Sequence, residues 1–373
     1  MIRWWVDGER TPRLEALMGE PERVLEGPES LARESAGRKR FYRLDGGSGE
    51  PALYVKVFTL SGAARWRYFL RPSKARRERA VARAVEARGF AVARPVAVGE
   101  RRSLGLLERS WAVTRDLAAR DLRALLEGAR ENGPERRALL ERFARFAREL
   151  HDAGVDQDDF SPNNFLVRGD GAFVLIDFER ARLRRGPLRA RAWTQLAKLN
   201  RRDFGISRSE RLRFLRTYLG STGAAGRAER RAAWQKIWPE FRRIRARDAR
   251  RAADAAFKEG RHLARDGEVW TVRARAGAKT IRLELGADDA RKCWVRAHQL
   301  ERLGLPALRP VKLDGGAVEL LDPGTAQPRS PADLLIGRAL AAIVPFGRFT
   351  APPQWRFTTH GVVLANPQAF EPN

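Results

Sequence analysis

Asp159 stands five residues before Asn164, and a second acid, Asp177, closes the apolar run Phe173-Val174-Leu175-Ile176. Phosphoryl transfer from ATP needs this set of groups. One carboxylate accepts the proton of the attacking hydroxyl, while the Asn and the second Asp hold the magnesium ions that neutralise the phosphates. On this reading Asp159 is the base, and Asn164 and Asp177 are metal and nucleotide ligands. Asp and Asn are also common turn residues, so the spacing alone would equally describe two hairpin loops. The upstream His151-x-x-Gly154-Val155 and downstream Ile176-Asp177-Phe178 favour the chemical reading.

A base on a loop needs a rigid support. Over 135–150, Leu139, Leu140, Phe143, Phe146, Ala147 and Leu150 recur at helical spacing, which predicts a helix with one buried face ending at the loop. His151, at its end, reads as a structural tie rather than a catalyst. Upstream, the pattern is β-β-β-α-β-β. Strands are expected at Glu22–Glu26, Arg40–Leu44 and Ala52–Phe58, then a helix over 73–88, then strands through Leu104–Leu107 and Trp111–Thr114. Lys56, in the alternating stretch Leu53–Phe58, is the candidate to contact the ATP phosphates; the competing reading is an outward lysine on a half-exposed strand. Glu78 on the next helix would pair with it, with Glu86 as competitor two turns later. No G-x-G-x-x-G appears. Gly27, Ser30, Ser35 and Gly37 are the only plausible phosphate-loop residues, with Gly37 the nucleotide contact.

These motifs together resemble the catalytic core of the protein-kinase-like superfamily, and within it the lipopolysaccharide-core sugar kinases, which phosphorylate Kdo or heptose. The matching residues are His151, Gly154, Val155, Asp159, Asn164, Ile176, Asp177, Phe178 and Glu179. Glu179 replaces the glycine of ordinary protein kinases. The stretch from Trp193 to Arg202 is similar to the basic, Leu-spaced helix that the sugar kinases carry after the metal-binding Asp. The resemblance spans roughly residues 20 to 220. It implies a bilobal α+β fold, ATP and Mg2+ as cofactors, and an anionic glycolipid as acceptor. The chain departs from ordinary kinases in having Gln157-Asp158 where His-Arg precedes the base. Asp156, Asp158 and Asp159 form a like-charge cluster that needs compensation, for which Arg180, Arg182 and Arg184 are the nearby candidates.

Composition sets outer limits. A hydrophobic content of 43% with ten Trp and eighteen Phe argues for a folded chain. The single Cys293 excludes an internal disulfide framework and fits a reducing compartment. No apolar run approaches the ~20 residues that span a bilayer, and the first residues lack a signal-peptide core, so a cytoplasmic protein, peripheral on the membrane, is expected. The net charge of +27 suits polyanions such as anionic lipid or phosphorylated glycolipid, although arginine-rich coding gives the same bias. No specific nucleic-acid-binding signature is present.

Residues 227–265 read as a basic helix that Pro239 should kink or break. Its Trp234, Trp238 and Phe241 are expected inside and Arg242, Arg243, Arg245 and Arg247 outside, facing anionic lipid. The last hundred residues return to strands, helix and strand. Gly304, Pro310 and Val311 stand 215 residues beyond Gly89, Pro95 and Val96, which suggests a degenerate copy of the N-lobe or chance likeness between two helix-Gly-strand units. The expected domains are a kinase-like N-lobe over 1–115, a helical C-lobe over 116–264, and an α+β extension over 265–373. Three functions fit: a lipopolysaccharide-core sugar kinase, a kinase on protein or another small molecule, and a pseudokinase that binds nucleotide without turnover.

Overall fold

A computed structural model describes residues 2–27, 30–34, 39–46, 49–129, 133–199, 206–260, 262–303, 305, 307–322, 347–349, 353, 355–358, 361–365, 367 and 370–372. The chain divides into two compact units, residues 1–199 with 204–234, and residues 200–203 with 235–373.

The first half of unit 1 runs β1 (Ile2–Val6), α1 (Pro12–Gly19), α2 (Pro21–Glu26), β2 (Ser30–Glu34), β3 (Lys39–Leu44), β4 (Leu53–Thr59), α3 (Lys74–Glu86), β5 (Ala97–Ser103) and β6 (Leu106–Arg115). Its strands form one antiparallel sheet in the order β1-β5-β6-β4-β3-β2. Alternation along β4 divides its side chains. Leu53, Val55 and Val57 join Leu14, Leu17 and Trp111 in one core, and Phe58 packs with Ala75, Val98 and Ala112 on the other face. The strand expected at Glu22–Glu26 is instead helix α2. Pro21 presets its first turn, and Leu25 is buried. Strand β1 and helix α1 precede the first element expected from the sequence. Thr11 caps α1 by accepting from the Leu14 N–H.

The helical half follows with β7 (Arg120–Asp121), α4 (Leu122–Gly128), α5 (Pro134–Asp152), β8 (Val155–Gln157), β9 (Phe165–Val167), β10 (Phe173–Leu175), β11 (Ala181–Leu183), α6 (Ala190–Leu199) and α7 (Arg208–Leu219). Helix α5 is the support expected before the loop. Its Phe143 ring lies 4.9 Å from Phe165, 5.5 Å from Phe173, 5.9 Å from Phe214 and 6.3 Å from Phe160. Phe160 and Phe165 directly follow Asp159 and Asn164, so the core reaches beneath these two candidate site residues. On α7, Leu215 and Tyr218 are buried and Leu212 is exposed.

Helix α8 (Gly223–Ala255) runs unbroken through Pro239. Ile237, Phe241 and Ile244 are buried on either side of the proline, and that packing offsets an interior-proline cost of ~3 kcal/mol. The helix ends before the expected 265. Arg245 is buried and donates to the Leu303 carbonyl, so of the four arginines expected outside only Arg242, Arg243 and Arg247 are exposed.

Unit 2 contains β12 (Leu263–Asp266), β13 (Val269–Val272), β14 (Thr280–Glu284), α9 (Ala287–Arg302), β15 (Pro310–Asp314) and β16 (Ala317–Leu321), in a sheet ordered β12-β13-β15-β16-β14. Two further pairs join β17 (Gly347–Phe349) to β20 (Phe370–Pro372) and β18 (Trp355–Thr358) to β19 (Gly361–Leu364). The order β15-β16-β14 around α9 repeats β5-β6-β4 around α3, all antiparallel. The hairpin does not repeat: β3 flanks β4, whereas β13 flanks β15. Lys56 lies across from Ala112, which faces Val98; Leu283 lies across from Val318, which faces Leu313. Leu283 therefore stands where Lys56 stands, and buried Cys293 where Glu78 stands. At these matching positions unit 2 has no charged pair.

Candidate active site

The loop after α5 begins with a sharp reversal. Gly154 has φ +73°, and a Cβ there would sit 2.5 Å from the Gly186 carbonyl oxygen and 2.7 Å from that of Arg184. His151, one turn earlier, is buried between Tyr218 and Gln195. Its Nε2 lies 3.0 Å from the Gln195 Oε1 acceptor, and its Nδ1 lies 2.8 Å from the Tyr218 hydroxyl. Burial pushes its pKa down to about 4, so the ring is neutral. Gln195 Nε2 passes the network on to the buried Asp156 at 2.7 Å, where Arg184 and Arg191 also converge. Burial alone would raise the Asp156 pKa, but the two guanidiniums lower it.

The like-charge cluster is thus dispersed. Asp158 takes Lys198 at 2.9 Å, and its pKa is lowered. Of the three arginines expected to compensate, Arg184 pairs with Asp156 and Arg180 acts on Asp158 only through its field; Arg191 and Lys198 do the rest. Asp159 differs from both neighbours. It is exposed, and its carboxylate makes no hydrogen bond or ion pair among the described residues.

Asn164 and Asp177 are brought together by backbone. Asn164 Nδ2 donates to the Asp159 carbonyl at 2.6 Å, and the Ile176 N–H donates to the Asn164 carbonyl at 3.1 Å. Asp177 adopts φ +60°, a left-handed conformation that a non-glycine residue rarely takes. Gln157, in the position of the usual His, donates from Nε2 to the Asp177 carbonyl at 2.9 Å. The departure from the kinase pattern therefore joins the loop that carries Asp159 to the segment that carries Asp177.

Lys56 Nζ lies 2.5 Å from Glu78 and 3.3 Å from Asp177. Burial disfavours its charge, but the two carboxylates outweigh burial and raise its pKa. Glu86, the competitor, pairs with Arg94 at 3.1 Å. Helix α3, which carries Glu78, is held at both ends: Arg79 and Arg83 reach Asp7, and Lys74 reaches Glu179 at 2.5 Å. A second lysine, Lys39, was missed by the sequence reading. It lies 2.9 Å from Glu179 and 3.8 Å from Asp177. Burial would raise the pKa values of Asp177 and Glu179, and the lysines lower both. The pairing spans 140 residues, and nothing local in the sequence marks it. Gly27 closes α2 and Ser30 opens β2, while Ser35 and Gly37 lie outside the described residues.

A family model described as the lipopolysaccharide kinase (Kdo/WaaP) family matches residues 28–218. The lipopolysaccharide core heptose(I) kinase WaaP of Pseudomonas aeruginosa is 32% identical over 229 residues, covering 58% of this chain and 82% of that protein. A solved structure of WaaP in complex with acyl carrier protein is 26% identical, with a TM-score of 0.48, covering 65% of this chain and 98% of that one.

Proposed function

This chain belongs to the lipopolysaccharide kinase (Kdo/WaaP) family and is a kinase, and from that premise we propose that it moves the γ-phosphoryl group of ATP to a hydroxyl of an inner-core Kdo or heptose. The observation that carries the reading is the convergence of Lys56, Glu78, Asn164 and Asp177 beside an exposed, uncommitted Asp159. Lys56, fixed by Glu78, binds the ATP phosphates. Asp159 accepts the proton of the sugar hydroxyl as it attacks phosphorus, and the released ADP carries the leaving oxygen. Lys39 lies near enough to Asp177 to add a second cation on the phosphate side.

The Asn164 amide oxygen and the Asp177 carboxylate are hard oxygen donors, which suits Mg2+ bound by one or two protein oxygens together with phosphates. When bound, Mg2+ neutralises charge on the β- and γ-phosphates. The paired Asp158 and the Gln157 contact with Asp177 favour a working loop over a pseudokinase, since the altered residues support the site.

The test is phosphate transfer from labelled ATP to isolated lipopolysaccharide whose core phosphates have been removed. Label on the core sugar supports the reading. ATP hydrolysis with no label on the core would leave a kinase with another acceptor, and no ATP turnover at all would leave a nucleotide-binding regulator.

A further inference from the structure

Between β4 and α3 the chain reads Arg65-Trp-Arg-Tyr-Phe-Leu-Arg71, and it does not bury its apolar residues. Trp66 is 67% exposed, Phe69 46% and Leu70 91%. Leu104, in the β5–β6 turn, is 94% exposed and has φ +49°. A leucine with its side chain in water, in a conformation that favours Gly or Asn, contributes nothing to packing and costs backbone strain.

The two segments form one surface. The Phe69 ring lies against Gly105, where a Cβ would be only 2.6 Å from it, and stands 6.3 Å from the Trp66 ring. This surface is built, not frayed. Arg102 donates to the carbonyls of Tyr68 at 2.7 Å, Gly105 at 3.0 Å and Arg71 at 3.1 Å. Buried Glu100 holds Arg102 at 2.9 Å and accepts the Ser73 N–H at 3.0 Å. A half-buried ion pair, with Glu100 inside and Arg102 partly in solvent, thus fixes the backbone that presents four apolar side chains to solvent. Exposed apolar surface of this kind marks a docking site.

Charge selects the occupant. Arg67 and Arg71 alternate with the apolar residues, are exposed, and make no ion pair among the described residues. Trp, Phe and Leu flanked by arginine suit the boundary between acyl chains and anionic headgroups.

We infer that Trp66, Phe69, Leu70 and Leu104, with Arg67 and Arg71, form a docking surface for an anionic lipid bilayer. It lies close to the chemistry. Three residues separate Leu70 from Lys74, whose ammonium meets Glu179, so the surface lies within roughly 20 Å of the phosphate side of the site. The inference extends the proposed glycolipid acceptor to a way of meeting it, yet its test uses neither ATP nor sugar, so the two readings fail separately.

The experiment is flotation of the full chain with vesicles of phosphatidylglycerol and phosphatidylethanolamine. The wild-type chain should float, less so as salt rises. The Leu70→Gln/Leu104→Asn variant should bind on the order of a hundredfold more weakly, from the transfer of two leucines. Arg67→Gln/Arg71→Gln should bind about thirtyfold more weakly with a flatter salt dependence. Both variants should keep the wild-type melting temperature, because the replaced side chains are in solvent. Wild-type binding in the Leu70→Gln/Leu104→Asn variant would overturn the inference. So would a wild-type chain that ignores vesicles and instead captures an acidic protein through the same residues.

Discussion

Replacing Lys56 by Met leaves Glu78, 3% exposed at its side chain, without the ammonium that sits 2.5 Å away. Removing one partner of a buried pair costs about 3–5 kcal/mol. Lys56 keeps 16% side-chain exposure, so the low end applies, about 3 kcal/mol. For a unit of this size that lowers Tm by roughly 6–12 °C. Replacing both residues, as Lys56→Met/Glu78→Met, removes the stranded charge, and most of the lost stability should return. Turnover should not return. Without the cation on the phosphates, both variants should lose about 10^2–10^3 in kcat. Thermal melts and steady-state kinetics on the two single variants and the double variant supply the full cycle. A double variant as unstable as the sum of the singles would deny the coupling. One that regains turnover would reduce Lys56 to a structural residue.

Three further outcomes follow from other parts of the molecule. His151 titrates at about 4 when folded and ~6.5 when unfolded, so the unfolded chain binds the extra proton between these values. Stability should be complete above pH 6.5 and fall as pH drops toward 4, by about 2 kcal/mol at pH 5; Tm against pH for the wild type and His151→Gln checks this, since the variant should lose that part of the slope. Gly154→Ala places a Cβ against two carbonyl oxygens at φ +73° and should destabilise by about 1–3 kcal/mol, read as a lower Tm. Because Leu283 and Cys293 replace the charged pair in unit 2, calorimetric titration with ATP and Mg2+ should saturate at one nucleotide per chain.

The parts of this fold that were legible in the sequence are those with local signatures. Leu139 to Leu150 repeat every three or four residues, Leu53 to Phe58 alternate, and Asp159, Asn164 and Asp177 lie within one short stretch. What escaped depends on distance along the chain. Lys39 and Lys74 meet at Glu179, and Gln157 reaches Asp177, through tertiary structure alone. Glu22–Glu26 is too short for its periodicity to separate strand from helix, and it is Pro21, at the first helical position, that opens α2. Arg245 shows the reverse error: an arginine in a basic helix looks solvated until a carbonyl such as that of Leu303 is placed against it. The residues Trp66 to Leu70 suggest core by composition, and only their exposure distinguishes them.

The central claim is that Asp159 acts on the acceptor while Asp177 holds the metal-bound nucleotide. The most direct measurement sets the ATP dissociation constant, with Mg2+ present, beside turnover for Asp159→Ala and Asp177→Ala. Asp159→Ala should lose turnover and keep ATP affinity within about twofold, because its carboxylate faces the incoming hydroxyl. Asp177→Ala should lose both turnover and the Mg2+-dependent part of nucleotide binding. Wild-type turnover in either variant, or loss of ATP binding in Asp159→Ala, would contradict the account.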